Sequence, residues 1–200
     1  MLTNGHESLI KKRILDAAEE NFIHLGYHKT TMSDISRECG MSPANLYRYF
    51  DGKGGLAVAV ATRFLQGMEE KLEAIAEDRQ STAGVRLEQF VLTAMREARS
   101  FLRNRASGYD LVDFIFSRHY EMIDTHVRKK TILFETIIRQ GVESGEFAPT
   151  DPVRTAEYVL YATARFHAPY YMHLDRFSDD EFAKLAKGVV NILINGLKAA

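Results

Sequence analysis

Two hundred residues, 46% of them hydrophobic, suffice for one domain or two small ones with a proper core. Twenty-six basic residues stand against 27 acidic ones, and this balance excludes a non-specific nucleic-acid binder held by a broad positive field. The single cysteine rules out an internal disulfide and fits a reducing cytoplasm; no apolar run reaches a membrane span, and the N-terminal segment lacks the sustained apolar stretch of a signal peptide.

Proline is scarce and β-branched alternation is nowhere sustained, so the chain reads as all-α. A first helix is predicted over about residues 8–25, with Ile10, Ile14, Ala17, Ala18 and Phe22 on one face and Gly26 as its stop. A short helix follows Thr31, whose hydroxyl can cap it. Met32, Ile35 and Cys39 share one side of that helix, and Gly40 supplies a left-handed end. Met41 fills the turn. Ser42 then caps a third helix, with Pro43 at its first position and an end near Phe50. Leu46 and Phe50 point inward, leaving Asn45, Tyr47, Arg48 and Tyr49 outward or sideways. Helix, glycine turn and short helix with exposed polar and aromatic groups is the pattern of a helix-turn-helix, although any helical hairpin with a glycine turn shares its outline.

A fourth helix, from Gly52 to about residue 79, carries Val60, Phe64, Gly67, Met68, Leu72 and Ile75 at helical spacing. The fifth runs to about residue 103 with Phe90, Ala94, Met95 and Phe101 on its buried face, and a loop is expected over 104–108. The sixth, over about 109–122, has Val112, Ile115, Phe116 and His119 in line. The seventh, over about 124–144, is apolar at Val127, Thr131, Phe134, Ile137, Ile138 and Val142. Asp151 and Pro152 start the eighth, which Pro169 stops; the ninth spans about 178–197.

No catalytic set emerges. Cys39 lies on an inner face and reads as a structural thiol. His119, Glu121, Asp124 and His126 do not share one helical face and read as a solvated turn rather than a metal site. His167 and His173 straddle Pro169 without a ligand spacing. No phosphate loop, nucleophile elbow or paired-cysteine motif is present, so neither enzymatic activity nor a metal or cofactor is expected.

The run Ile14-Leu15-Asp16-Ala17-Ala18, then Phe22, Gly26-Tyr27, Thr30-Thr31, Leu46-Tyr47-Arg48-Tyr49-Phe50, Lys53 and Leu56 closely resembles the N-terminal domain of the tetracycline-repressor (TetR) family of bacterial transcription regulators. The chain departs from the family pattern in two places: Ser36 stands where a small apolar residue is usual, and Gly54-Gly55 where a helix-favouring acidic residue is. The resemblance implies an N-terminal three-helix helix-turn-helix DNA-binding domain over 1–51. A larger helical ligand-binding and dimerisation domain follows over 52–200, making about nine helices in all. It further implies a cytoplasmic, ligand-responsive regulator, expected to be a repressor, that binds a pseudo-palindromic operator in double-stranded DNA as a homodimer and is released by a small molecule. The alternative is a protein-interaction module with a non-functional helix-turn-helix.

Carried over by position, the DNA contacts are Thr31, Ser42, Ala44, Asn45, Tyr47, Arg48, Tyr49 and Lys53. Arg48 suits guanine and Asn45 adenine, while Ala44 leaves room for close approach or a thymine methyl. Thr31, Tyr47, Tyr49 and Lys53 suit phosphates, although the Tyr47 ring can instead pack the hairpin. The expected effector pocket is lined by Phe64, Met68, Met95, Phe116, His119, Thr163 and His167. Its ligand is mostly apolar or aromatic with an acceptor or an acidic group, although each histidine taken alone reads more readily as a satisfied core residue. Ala156, Ala162, Thr163, Ala164, Ala183, Ala186 and Gly188, with Val189, Ile192 and Leu193, let helices eight and nine pair two subunits or pack internally.

Overall fold

Ten helices build the fold in a computed structural model that describes residues 3–102, 105–172 and 177–198. They are α1 (Thr3–Leu25), α2 (Met32–Glu38), α3 (Pro43–Leu46), α4 (Gly52–Glu77), α5 (Ala83–Phe101), α6 (Arg105–Arg118), α7 (Tyr120–Glu143), α8 (Pro152–His167), α9 (Pro169–Met172) and α10 (Asp179–Leu197). Among the described residues there is no strand, only an isolated bridge between Phe147 and Lys198. No described helix is long and apolar enough to cross a membrane.

Four expectations need correcting. Helix α1 begins earlier, at Thr3. Of the loop expected over 104–108, residue 104 lies outside the described residues, and the chain is already helical from Arg105. The sixth helix does not continue to 122: it ends at Arg118, and His119 marks a break before α7. The four-residue α9 adds a tenth helix, too short to show any periodicity in the sequence.

The chain forms two compact units. One comprises the chain up to Leu65 together with Phe101–Ile123. Its core is Ile14, Ala18 and Phe22 of α1, Ile35 of α2, Leu46 of α3, Leu56 and Val60 of α4, and Leu111 and Ile115 of α6, all buried. The Tyr27 ring stacks on Phe114 with centroids 4.3 Å apart. Arg63 pairs with both Asp16, at 2.6 Å, and Glu19.

The other unit comprises Gln66–Ser100 and the chain from Asp124 onward. Leu72, Phe90, Phe134, Ile137, Ile138 and Phe182 form its core, and the Phe90 and Phe134 rings lie 4.3 Å apart. Glu146 caps α5 from outside the helix, its carboxylate accepting from the backbone N–H of Ala83 (2.7 Å) and Gly84 (2.9 Å). Gly141 is where α7 meets Ala83 and the Phe147 ring: a Cβ there would lie 2.9 Å from Ala83 Cβ and closer still to the ring.

Candidate functional site

The hairpin is fixed at both helix ends by its own side chains. Thr31 Oγ1 accepts from Asp34 N (3.2 Å), and the Asp34 carboxylate accepts from Thr31 N (3.1 Å), a complete capping box on α2. At the far end Gly40 takes φ +63°, which only glycine adopts without strain. The N–H of Gly40 then reaches Arg37 O and that of Met41 reaches Ser36 O, at 3.1 and 2.9 Å, closing a Schellman end. Ser36 is buried, and its hydroxyl donates to Ser33 O (3.0 Å), so the polar residue at this normally apolar position is satisfied within its own helix. Cys39 is buried and burial pushes its thiol pKa up, in keeping with a structural role.

Ser42 caps α3 by accepting from Asn45 N (3.3 Å). The regular helix spans four residues rather than reaching Phe50; three- and four-residue backbone hydrogen bonds carry the turn on from Tyr47 to Phe50. Leu46 is fully buried and Phe50 half-buried, so the hairpin is anchored from below as expected. Ser42, Ala44 and Arg48 are exposed, Asn45 and Tyr49 half-buried. Among the described residues the Arg48 guanidinium has no hydrogen bond or ion pair. Tyr47 is 56% exposed, so its ring does not pack the hairpin core. Lys53 is engaged: its ammonium donates to Tyr27 O (2.8 Å) and His28 O (3.2 Å) and lies 4.5 Å from the centre of the Tyr27 ring.

The charge balance of this unit is uneven in space. Arg63 neutralises Asp16 and Glu19, Lys11 pairs with Glu7, and Arg37 pairs with Asp34. Arg13 is bound to Cys39 O (3.0 Å). Arg48 is exposed and, among the described residues, has no such partner.

The expected pocket residues divide between the two units. Phe64, Phe116 and His119 belong to the first, where Phe64 packs on Phe101 (4.3 Å) and His119 lies against Phe114 (5.5 Å) at the α6–α7 break. Met68, Met95, Thr163 and His167 belong to the second and are all buried there. His167 Nδ1 accepts from the Lys130 ammonium (3.2 Å). Its Nε2–H then donates to Thr163 Oγ1 (3.1 Å), whose own hydroxyl donates to Val159 O (2.7 Å). Burial, with Lys130 next in weight, pushes the His167 pKa well down, so the ring is neutral.

Two residues of this cluster escape a reading based on apolar spacing. Lys130 is only 4% exposed, and burial lowers its pKa to about 8. His126 is not at a solvated turn: it is buried, and its Nδ1–H donates to Glu69 (2.8 Å), which also binds Lys129 (2.6 Å). Burial lowers the His126 pKa, so this ring too is neutral. The signal that could have found them is His126, Lys130 and Phe134 at four-residue steps on one helical stripe, polar in two places. No set of three His, Cys, Asp or Glu among the described residues is placed to hold a metal ion.

Comparison with known proteins bears on both units. Residues 14–60 match the family described as bacterial regulatory proteins, tetR family, and residues 83–190 match the tetracyclin repressor-like C-terminal domain. The chain is 26% identical over 196 residues to the HTH-type transcriptional regulator RutR of Escherichia coli (strain K12), covering 94% of this chain and 90% of that protein. A transcriptional regulator from Cytophaga hutchinsonii ATCC 33406 has a similar fold, with a TM-score of 0.78 at 22% identity over 93% of this chain and 97% of its own. A TetR/AcrR-family regulator from Thermobifida fusca gives 0.72 at 22% identity, covering 94% and 98%.

Proposed function

The chain belongs to the tetR family of bacterial transcriptional regulators, and on that premise we propose a cytoplasmic, dimeric repressor that releases a pseudo-palindromic operator when a small molecule binds. We assign DNA reading to residues 1–51 and effector binding and dimerisation to 52–200. The observation that carries the first assignment is Arg48, exposed and without a partner among the described residues, at the end of a hairpin whose two helix starts are capped and whose underside is buried. A guanidinium presented in this way can bond twice to guanine in the major groove. Asn45 is the second base reader. Ser42 and the exposed Tyr47, with Thr31, Tyr49 and Lys53, serve phosphates, and Ala44 permits close approach. Selection from a random double-stranded library is expected to enrich two inverted half-sites, because a two-fold dimer presents two equivalent α3 segments. Enrichment of single, unpaired motifs, or of none, would count against it.

Dimerisation is supported by the outer faces of α8 and α10. Ala156, Thr163 and Ala186 are buried inside the chain, so these small residues serve internal packing. Tyr158, Tyr161, Leu185 and Ile192 are large, apolar and 47–76% exposed, as expected of a surface that a second copy covers. Ile192→Asp is expected to give monomers by light scattering and to weaken operator binding, since the second half-site no longer binds intramolecularly. A variant that stays dimeric at micromolar concentration would move the interface elsewhere.

A further inference from the structure

We propose that the second compact unit receives the carboxylate of an acidic, otherwise apolar effector, with the Lys130 ammonium as counter-ion and the His167–Thr163 pair holding that ammonium in position. The proposal rests on the reading of this unit as the effector-binding part of the regulator.

An ammonium has three donors. Among the described residues, Lys130 uses one of them, on His167 Nδ1. The carboxylate that helps hold its charge, Glu69, is occupied by Lys129 at 2.6 Å and His126 at 2.8 Å. Glu69 and Lys129 cancel, and both histidines are neutral. One positive charge and two N–H groups therefore remain at a site closed to water. A buried cation without a counter-ion is unfavourable, so one negative charge is missing. A carboxylate supplies a single charge and two acceptor oxygens, matching both counts. A phosphate dianion would overshoot the charge.

The surroundings indicate the rest of the molecule. On α7, Lys130 lies one turn from His126 and one from Phe134. His126 is tied to α4 through Glu69, Phe134 to α5 through Phe90, and Lys130 itself to α8 through His167. The ammonium thus sits where four helices of one unit meet. Met68 adjoins Glu69 on α4, and Met95 is buried on α5. Thioether side chains move readily among rotamers and fit varied apolar shapes. An acid with an apolar body matches both the charge and the buried apolar residues of these helices, Phe134 one turn from Lys130 among them.

The probes are matched acids and primary amides: butyrate and butyramide, hexanoate and hexanamide, phenylacetate and phenylacetamide. Each is titrated calorimetrically into the full chain without DNA at pH 7. At least one acid should bind ten-fold or more tightly than its amide. Lys130→Met should abolish the preference, so that in this variant the acid binds no more tightly than its amide; Lys130→Gln replaces it if the methionine variant does not fold. The proposal is overturned if no acid outbinds its amide, or if the variant keeps the preference. Operator binding without any acid reads the regulator assignment separately. Specific DNA binding with no acid preference removes only this inference, whereas an acid site on a chain with no DNA specificity removes the regulator assignment and leaves the site.

Discussion

Lys130→Met is expected to stabilise the ligand-free protein by about 2 kcal/mol at pH 7 and to raise its melting temperature by roughly 4–8 °C. Burial lowers the lysine pKa from 10.5 to about 8. At about 1.4 kcal/mol per pH unit, keeping the ammonium charged in the fold costs roughly 3 kcal/mol. Removing it leaves His167 Nδ1 without its donor, which returns about 1 kcal/mol. The sign of the pH dependence follows from the lowered pKa. The folded chain releases this proton near pH 8, while the unfolded chain keeps it to about pH 10.5, so the unfolded state binds more protons in that window and the wild type gains stability as pH rises through it. The gap between variant and wild type is therefore full below pH 8, narrows as pH rises, and reverses slightly by about pH 10.5, where only the lost hydrogen bond remains. Thermal melts of both proteins from neutral to alkaline pH measure it. A variant less stable than wild type at pH 7, or a gap that does not narrow, would show that Lys130 already has a counter-charge.

Arg48→Ala is expected to cost about 1–3 kcal/mol on the selected operator, roughly a 5- to 150-fold loss, and to relax preference at one base position in each half-site. The exposed guanidinium has no partner among the described residues, so the melting temperature should not change. Lys53→Ala should behave differently, weakening all sequences alike and reducing the salt dependence of binding. Because Lys53 also holds the carbonyls of Tyr27 and His28, this variant should in addition lower stability slightly. Competition with single-base operator variants measures both. Unchanged affinity and base preference in Arg48→Ala would remove that residue from the interface.

The hairpin was legible because its signals are local. Thr31, Ser42 with Pro43, and Gly40 each act within one turn of chain, and the structure places all of them as caps and stops, adding Asp34 as the second half of the Thr31 box. The apolar face of α5 was equally readable, with Phe90, Ala94, Met95 and Phe101 all buried, although Arg86 is buried on the same helix; on α10 Phe182 and Ala186 are buried, whereas Leu185 and Ile192, expected on the same face, are exposed. Helix α7 was only half readable. Val127, Thr131 and Val142 continue an apolar pattern, yet Val142 is exposed, while His126, Lys130 and Gly141 line the inside. Apolar periodicity cannot find an inner face whose polar members are stabilised by a partner, Glu69, 57 residues away in sequence from His126. The break at His119 was hidden for a related reason: no proline or glycine marks it, and the chain simply resumes as α7 after one residue. Four of the expected pocket residues are buried in the second unit, and two of them, His167 and Thr163, form a chain with a buried lysine that apolar spacing does not reveal.

The most direct test of DNA recognition is the ratio of two dissociation constants. One is for the DNA upstream of this protein's own gene, the other for a scrambled duplex of equal length, both followed from about 50 to about 200 mM salt. A site-specific dimer should bind the upstream DNA at nanomolar to sub-micromolar concentration and hold a preference of about a thousand-fold or more at physiological salt, while both affinities fall as salt rises. A ratio near one at every salt concentration would contradict sequence reading by the α2–α3 hairpin and leave it an interaction surface for other proteins.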